Sequence, residues 1–186
     1  MKSDALIIFI GGVHGVGKTT ICSRICQEIG AEHLVASDII KKVAGKNREV
    51  TVDGKRVANV AQNQDLLLIG LSDILVSGKR YLLDGHFTLM SPDNKTRPIP
   101  LETFRGIGPK ALILLSDEHG AIAIRLLARG GAKFDASLIA EMQEAEISHA
   151  KKVAADLNKP LQKIHLSGEE FEIRFADLLG ALRKWI

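Results

Sequence analysis

Two cysteines, eight aromatic residues and no long apolar run are conspicuous shortages in a chain of 186 residues. Cys22 and Cys26 lie four apart in a stretch of helical period, so they read as small apolar neighbours on one helix face, not as a disulfide framework. A metal centre would need further Cys or His beside them. A reducing cytoplasm is the expected setting. Six Phe, one Tyr and one Trp are too few for a platform that stacks single-stranded bases. Charge of one sign is scarce too. Lys and Arg total 25 against 22 for Asp and Glu, a dispersed +3 that gives no argument for a nucleic-acid partner. The apolar run from Ala5 to Ile10 is far shorter than the ~20 residues of a membrane span. A glycine motif follows it where a leader would carry a small-residue cleavage site, so neither signal peptide nor anchor is expected.

What is present is the composition of an ordinary globular domain, 46% hydrophobic and 25% charged. Short apolar runs bounded by turn residues alternate with stretches of helical period, the pattern of a parallel sheet covered on both faces. The expectation is one α/β domain over 1–186. Its strands fall at Ala5 to Ile10, His33 to Ala36, Tyr81 to Leu83, Ala111 to Leu115 and Leu161 to Leu166. Helices are expected over Lys18 to Ile29, stopped by Gly30, and over Ile39 to Val43, Asn59 to Val76, Ala121 to Arg129, Ala136 to Leu157 and Glu169 to Trp185. Asp53-Gly54 between alternating residues predicts a hairpin over Glu49 to Val57. The stretch of about 38–78 therefore reads as an inserted arm. Ser91 to Pro109 holds four of the five prolines and reads as a loop with a short helix near Leu101 to Arg105.

Gly12-Val13-His14-Gly15-Val16-Gly17-Lys18-Thr19 fits GxxxxGKT directly after a buried strand and at the start of a helix. Glycines let the backbone wrap closely enough for successive N–H groups to face phosphate oxygens, and the helix N-terminus adds its positive end. Lys18 can then meet the β/γ-phosphates of ATP, while the Thr19 hydroxyl is placed to hold Mg²⁺. His14 is an odd member of such a loop and reads as a side chain pointing outward.

Asp84-Gly85-His86 ends the third strand. A carboxylate there can reach a phosphate-bound metal, or accept a proton, or cap its own turn. His86 can orient a water or a phosphate, or be a neutral loop histidine. Arg125 and Arg129 share a helix face ahead of Gly130-Gly131, an arrangement suited to gripping a nucleotide beside a hinge, so a short lid is expected over about 125–136. Asp38 either caps the arm helix or faces a second substrate.

These segments together resemble the nucleoside monophosphate kinases, and within them the archaeal and nuclear adenylate kinase branch that carries an Asp-x-His motif. The matching segments are Gly12 to Thr20, Ser37 to Lys41, Leu83 to His86, and Arg125 to Gly130 with Gln143 and Glu146 downstream. The resemblance implies a three-layer P-loop fold with a five-stranded parallel sheet in the order 2-3-1-4-5, a mobile arm and a short lid. It implies ATP and Mg²⁺ as cofactors, Thr20 beside the phosphate loop, Arg125 at the adenine and Arg129 at the phosphates. Lys18, Asp84, His86 and Arg129 would form the catalytic set. Lys41 stands where that family carries an arm arginine, and Thr88 stands near the place of a second. A lysine lacks the bidentate fork of arginine, so an acceptor other than AMP is implied, in a site lined by Asp38, Lys41, Asn63, Gln64 and His86.

The leading expectation is transfer of the ATP γ-phosphate to a nucleotide or nucleoside-like acceptor. Two others stand beside it: a small-metabolite kinase of the shikimate or gluconate type, and a slow ATPase switch holding a protein or RNA partner.

Overall fold

The computed structural model describes residues 4–46, 60–91, 95–130 and 135–185. The hairpin expected over Glu49 to Val57 lies outside the described residues, as does the centre of the expected lid.

Five parallel strands form the main sheet: β1 (Leu6–Gly11), β2 (Glu32–Val35), β3 (Arg80–Asp84), β6 (Ala111–Ser116) and β7 (Leu161–His165), in the spatial order β2-β3-β1-β6-β7. The last two positions differ from the expected numbering. Two short strands, β4 (Thr88–Met90) and β5 (Thr96–Pro98), precede β6 and form a separate antiparallel pair. The expected short helix near Leu101 to Arg105 is present as α4 (Leu101–Ile107), while the expected loop ahead of it is corrected, since β5 occupies Thr96–Pro98. Strands this short carry almost no periodic signal, and the proline at the end of β5 hid it.

Alternation along β1 sends its side chains to two cores. Ile8 and Ile10 join Leu82, Ile113 and Leu115 against α1 (Lys18–Ile29) and α7 (Phe171–Trp185). Ile7 and Phe9 join Tyr81, Leu83, Leu112 and Leu114 against α3 (Val60–Ile74), α4 and α6 (Ala136–Leu157). Both faces of the sheet are thus covered, which explains the unbroken apolar run at the N-terminus. Phe9, Phe87 and Phe104 lock the second core beneath the strand ends, with ring centroids 5.1–5.6 Å apart.

Helix boundaries follow local chemistry. Gly30 ends α1 in the left-handed region at φ 63°, with its N–H bonded to the Cys26 carbonyl. Asp135 caps α6 by accepting from Ser137 N–H at 3.3 Å. Helix α2 (Ala36–Lys46) begins directly after β2, so Asp38 sits inside its first turn and is not its cap residue. Carboxylates favour that turn through the helix dipole, which accounts for an acid there without a ligand.

Candidate active site

The Gly12–Thr19 loop runs from the C-terminal end of the central strand β1 to α1, on the carboxyl side of the sheet where parallel folds of this kind bind ligands. Gly12 adopts φ 149°, and a Cβ there would stand 2.7 Å from the Leu115 carbonyl oxygen. Gly17 precedes α1 at φ 113°. Side chains at either place would break the curl. The first bond of α1 runs from Ile21 N–H to the Gly17 carbonyl at 3.3 Å, so helix geometry leaves the preceding N–H groups facing the loop concavity. Lys18 folds across that concavity and donates to the carbonyls of Gly12 at 2.7 Å and Val13 at 3.2 Å. Burial pulls its pKa down, while the charges of Asp84 and Glu146 oppose that pull. An ammonium held only by neutral carbonyls is available to an entering anion.

Strand β3 delivers Asp84 opposite Lys18. Its side chain is 9% exposed and lies 3.7 Å from His33 Nε2. Burial raises the carboxyl pKa, against the pull of Lys18, His33 and His86. Thr19 on the first turn of α1 and the Asp84 carboxylate are oxygen donors flanking the same loop, a donor set that suits a hard cation such as Mg²⁺.

His86 follows the strand and stands between two partners. Its Nδ1 lies 3.8 Å from Glu146 Oε1, and its ring centroid lies 4.2 Å from that of His14. His14 is therefore solvent-accessible as expected, but it leans on His86 instead of projecting freely. The surrounding protein, with His86 and Lys18, pushes the His14 pKa down to about 3, so it stays neutral near pH 7. Glu146 is almost fully buried on α6. It accepts from Phe87 N–H at 3.0 Å, Thr88 N–H at 3.0 Å and Thr88 Oγ1 at 3.0 Å, which fixes the turn that carries His86. Burial alone would raise its pKa, but the His86 contact and these backbone donors outweigh it and hold the carboxyl below its ordinary value.

A third strand end contributes Asp117, just past β6. It binds Arg125 Nη2 and accepts from the Ser167 hydroxyl, and Gln143 clamps its backbone at 3.0 and 2.8 Å. Arg125 further donates to the Val16 carbonyl at 2.9 Å and the Ala121 carbonyl at 3.1 Å. Three of its five N–H donors are thus engaged, one on the loop, one on Asp117 and one on its own helix, which holds the guanidinium plane in a fixed orientation. Arg129 ends α5 (His119–Ala128) in the open, and with Gly15, Leu126 and Met142 it lines a cavity of about 360 Å³ beside the loop. A smaller cavity of about 20 Å³ adjoins it, walled by His14, His86, Thr88 and Glu146.

His14, His86 and Arg129 thus line the two cavities, and Lys18 and Asp84 lie within electrostatic reach of them and of each other; Thr20 is an exposed residue of α1. The expected acceptor set splits. Asp38, Lys41, Asn63 and Gln64 line neither cavity; Lys41 Nζ pairs with Asp38 Oδ1 at 3.3 Å on the exposed side of α2, and Gln64 is buried in α3. The Asp38–Lys41 pair has a local cause: oppositely charged side chains at i,i+3 on one helix face lie within reach of each other. Sequence reasoning missed Asp117, His33 and Ser167. Asp117 could have been found by the logic that found Asp84, an acid at the C-terminal end of an apolar strand.

A family model described as an AAA domain matches residues 11–160. The chain is 30% identical over 143 residues to an adenylate kinase from Synechococcus sp. (strain WH7803), covering 75% of each chain. It is 26% identical over 195 residues to UMP-CMP kinase 2 of Oryza sativa subsp. japonica, covering 96% of this chain and 72% of that one. Among solved structures, a gluconokinase from Sinorhizobium meliloti 1021 aligns with a TM-score of 0.56 and 13% identity over 98% of this chain and 96% of that one, a likeness of fold.

Proposed function

Because the chain belongs to the AAA-domain family of P-loop proteins, in its nucleoside monophosphate kinase group, we infer that it is an ATP-dependent phosphotransferase whose acceptor is a nucleotide or nucleoside-like molecule. The observation that carries this reading is the grouping of Lys18 with Asp84 and Arg129, and of Asp84 with His86, within electrostatic reach at the phosphate loop, where His86 and Arg129 line the two adjoining cavities. Phosphoryl transfer is mostly positioning and charge neutralisation, and this arrangement supplies both.

In this reading the loop N–H groups and the α1 N-terminus hold the ATP phosphates. Lys18 leaves the Gly12 and Val13 carbonyls for the β/γ-oxygens. Mg²⁺, held by Thr19 and Asp84, would neutralise charge on those same oxygens when bound. Arg125 presents its face to the adenine, and Arg129 reaches the transferring group from the rim. His86, steadied by Glu146 and packed on His14, orients the acceptor oxygen. The Asp84-Gly85-His86 segment thereby keeps its likeness to the Asp-x-His branch, and α2 with α3 serves as the acceptor arm.

Transfer to a hydroxyl of a small metabolite is a second reading, favoured by one feature. The small cavity beside His86 is walled by His14, Leu89, Met90, Met142, Thr88 and Glu146, and among the described residues no arginine lines it, Arg129 lying in the adjoining larger one. ADP release measured across nucleoside monophosphates, nucleosides, sugars and hydroxy acids, beside a no-acceptor control, tests both. Stimulation by at least one acceptor is expected. Identical release in every tube would overturn transfer and leave hydrolysis.

The membrane is not implicated by any helix: among the described residues none is long and apolar enough to cross one.

A further inference from the structure

Cys22 from α1, His33 from β2 and Asp84 from β3 meet behind the phosphate loop. Their sulfur, ring nitrogen and carboxylate oxygen all lie within 4.8 Å of one another, and among the described residues they are the one such group of three. Cys22 is fully buried, and its neighbour in the helix period, Cys26, is not part of the group. His33 Nε2 is shielded from solvent and has no hydrogen-bond partner, the one buried side-chain polar atom so placed among the described residues. Leaving a ring nitrogen in that state costs about 1–3 kcal/mol, and the nearest group is the Asp84 carboxylate at 3.7 Å. The three residues come from elements far apart in sequence, so helix or strand periodicity does not account for their meeting.

We propose that Cys22, His33 and Asp84 bind a soft divalent cation, with zinc the best fit, and that this cation withdraws Asp84 from phosphoryl transfer. Thiolate and imidazole select zinc over Mg²⁺, which prefers oxygen. Zinc bond lengths of about 2.0–2.3 Å put tetrahedral donors about 3.3–3.8 Å apart; His33 and Asp84 already stand at 3.7 Å, and the remaining pairs, within 4.8 Å, close by at most about 1.5 Å through side-chain rotation. Three protein ligands leave a fourth position for water. The cation enters on the His33 side, where β2 forms the edge of the sheet and the ring keeps 23% of its surface exposed. Burial, with the Asp84 charge, holds the metal-free Cys22 thiol protonated. On binding, that proton passes to solvent, the sulfur–zinc, nitrogen–zinc and oxygen–zinc bonds form and each displaces a zinc-bound water to solvent; nothing is oxidised or reduced.

Metal binding is measured on the full chain without nucleotide, so failure here is separate from failure of the kinase reading. Cobalt(II) serves as the optical probe and zinc as competitor. Wild type should show a thiolate-to-cobalt charge-transfer band that saturates at one equivalent and is erased by zinc. Cys26→Ala should match wild type, Cys22→Ala should lose the band, and His33→Gln should bind at least about tenfold more weakly, since even indirect partners of metal ligands cost that much. Unchanged ATP affinity confirms that the variants are folded. With Mg²⁺ and ATP present, zinc should slow wild-type turnover and spare Cys22→Ala. Absence of the band in wild type, wild-type metal affinity in Cys22→Ala or His33→Gln, or equal zinc inhibition of Cys22→Ala and wild type would each overturn the proposal.

Discussion

The phosphate-loop side of the molecule and the α2–α3 side are built on opposite principles. Around the loop, Glu146, Asp117 and Arg125 are each held by several partners: Glu146 by three donors from Phe87 and Thr88, Asp117 by Arg125 and Ser167, Arg125 by two carbonyls besides. On α2, Asp38 and Lys41 hold only each other, with side chains 69% and 73% exposed. Preorganised charge is what a reaction with a fixed transition state needs, whereas an exposed pair can rearrange around whichever ligand arrives. The donor half is thus fixed in advance and the acceptor half is left adaptable.

The strongest way to break this contrast is Lys18→Ala. With the one mobile cation of the loop gone, turnover should fall by at least ~10² while the fold persists, because Lys18 makes no contact that the core depends on. Steady-state ADP release together with a thermal melt reads both, and retention of a tenth of the activity would contradict the assignment.

Glu146→Ala should be the largest stability loss. It strands two backbone N–H groups and a hydroxyl in a buried turn, at about 1–3 kcal/mol each before relaxation. Urea unfolding measures it, and a loss within about 0.5 kcal/mol would mean that the turn is held by other means. The pH dependence has a defined sign. The Glu146 carboxyl is held below its unfolded value, so its contribution is complete above the unfolded pKa of about 4.3 and is lost as pH falls through the folded one. The gap between wild type and Glu146→Ala should accordingly narrow on acidification below about pH 4.3.

Arg125→Ala should come next, at about 2–3 kcal/mol. That is less than the ~3–5 of a fully buried broken pair, because the Arg125 side chain keeps 32% of its surface exposed. ATP affinity should fall with it, since Val16 loses its tether. Lys41→Ala should be the smallest in stability, within about 0.5 kcal/mol, and should leave ATP affinity unchanged. Its effect, if Lys41 meets the acceptor, is on acceptor KM alone. A shift in ATP affinity would erase the distinction between the two halves.

The same contrast explains what could be read from sequence. The loop is contiguous, so Gly12 to Thr19 announced its geometry, and Asp84 was legible as an acid closing an apolar strand. Helix α6 was read with its true ends because Asp135 caps it and Asn158 closes it in the left-handed region. The Arg125–Asp117–Ser167 link and the Cys22–His33–Asp84 meeting join strand ends that only the sheet order brings together, and no local pattern encodes that. Lys41, Asn63 and Gln64 were grouped with His86 from the resemblance to a family whose acceptor site lies between such an arm and the strand-three end. Packing of α2 on α3 instead buries Gln64 and leaves Lys41 on the outside.

Following the label of γ-labelled ATP tests the account most directly. With an effective acceptor present, wild type should place the label in the acceptor product faster than in inorganic phosphate, and Lys18→Ala should place it in neither. Label recovered solely as inorganic phosphate, at one rate with and without every acceptor tried, would contradict phosphoryl transfer at this site.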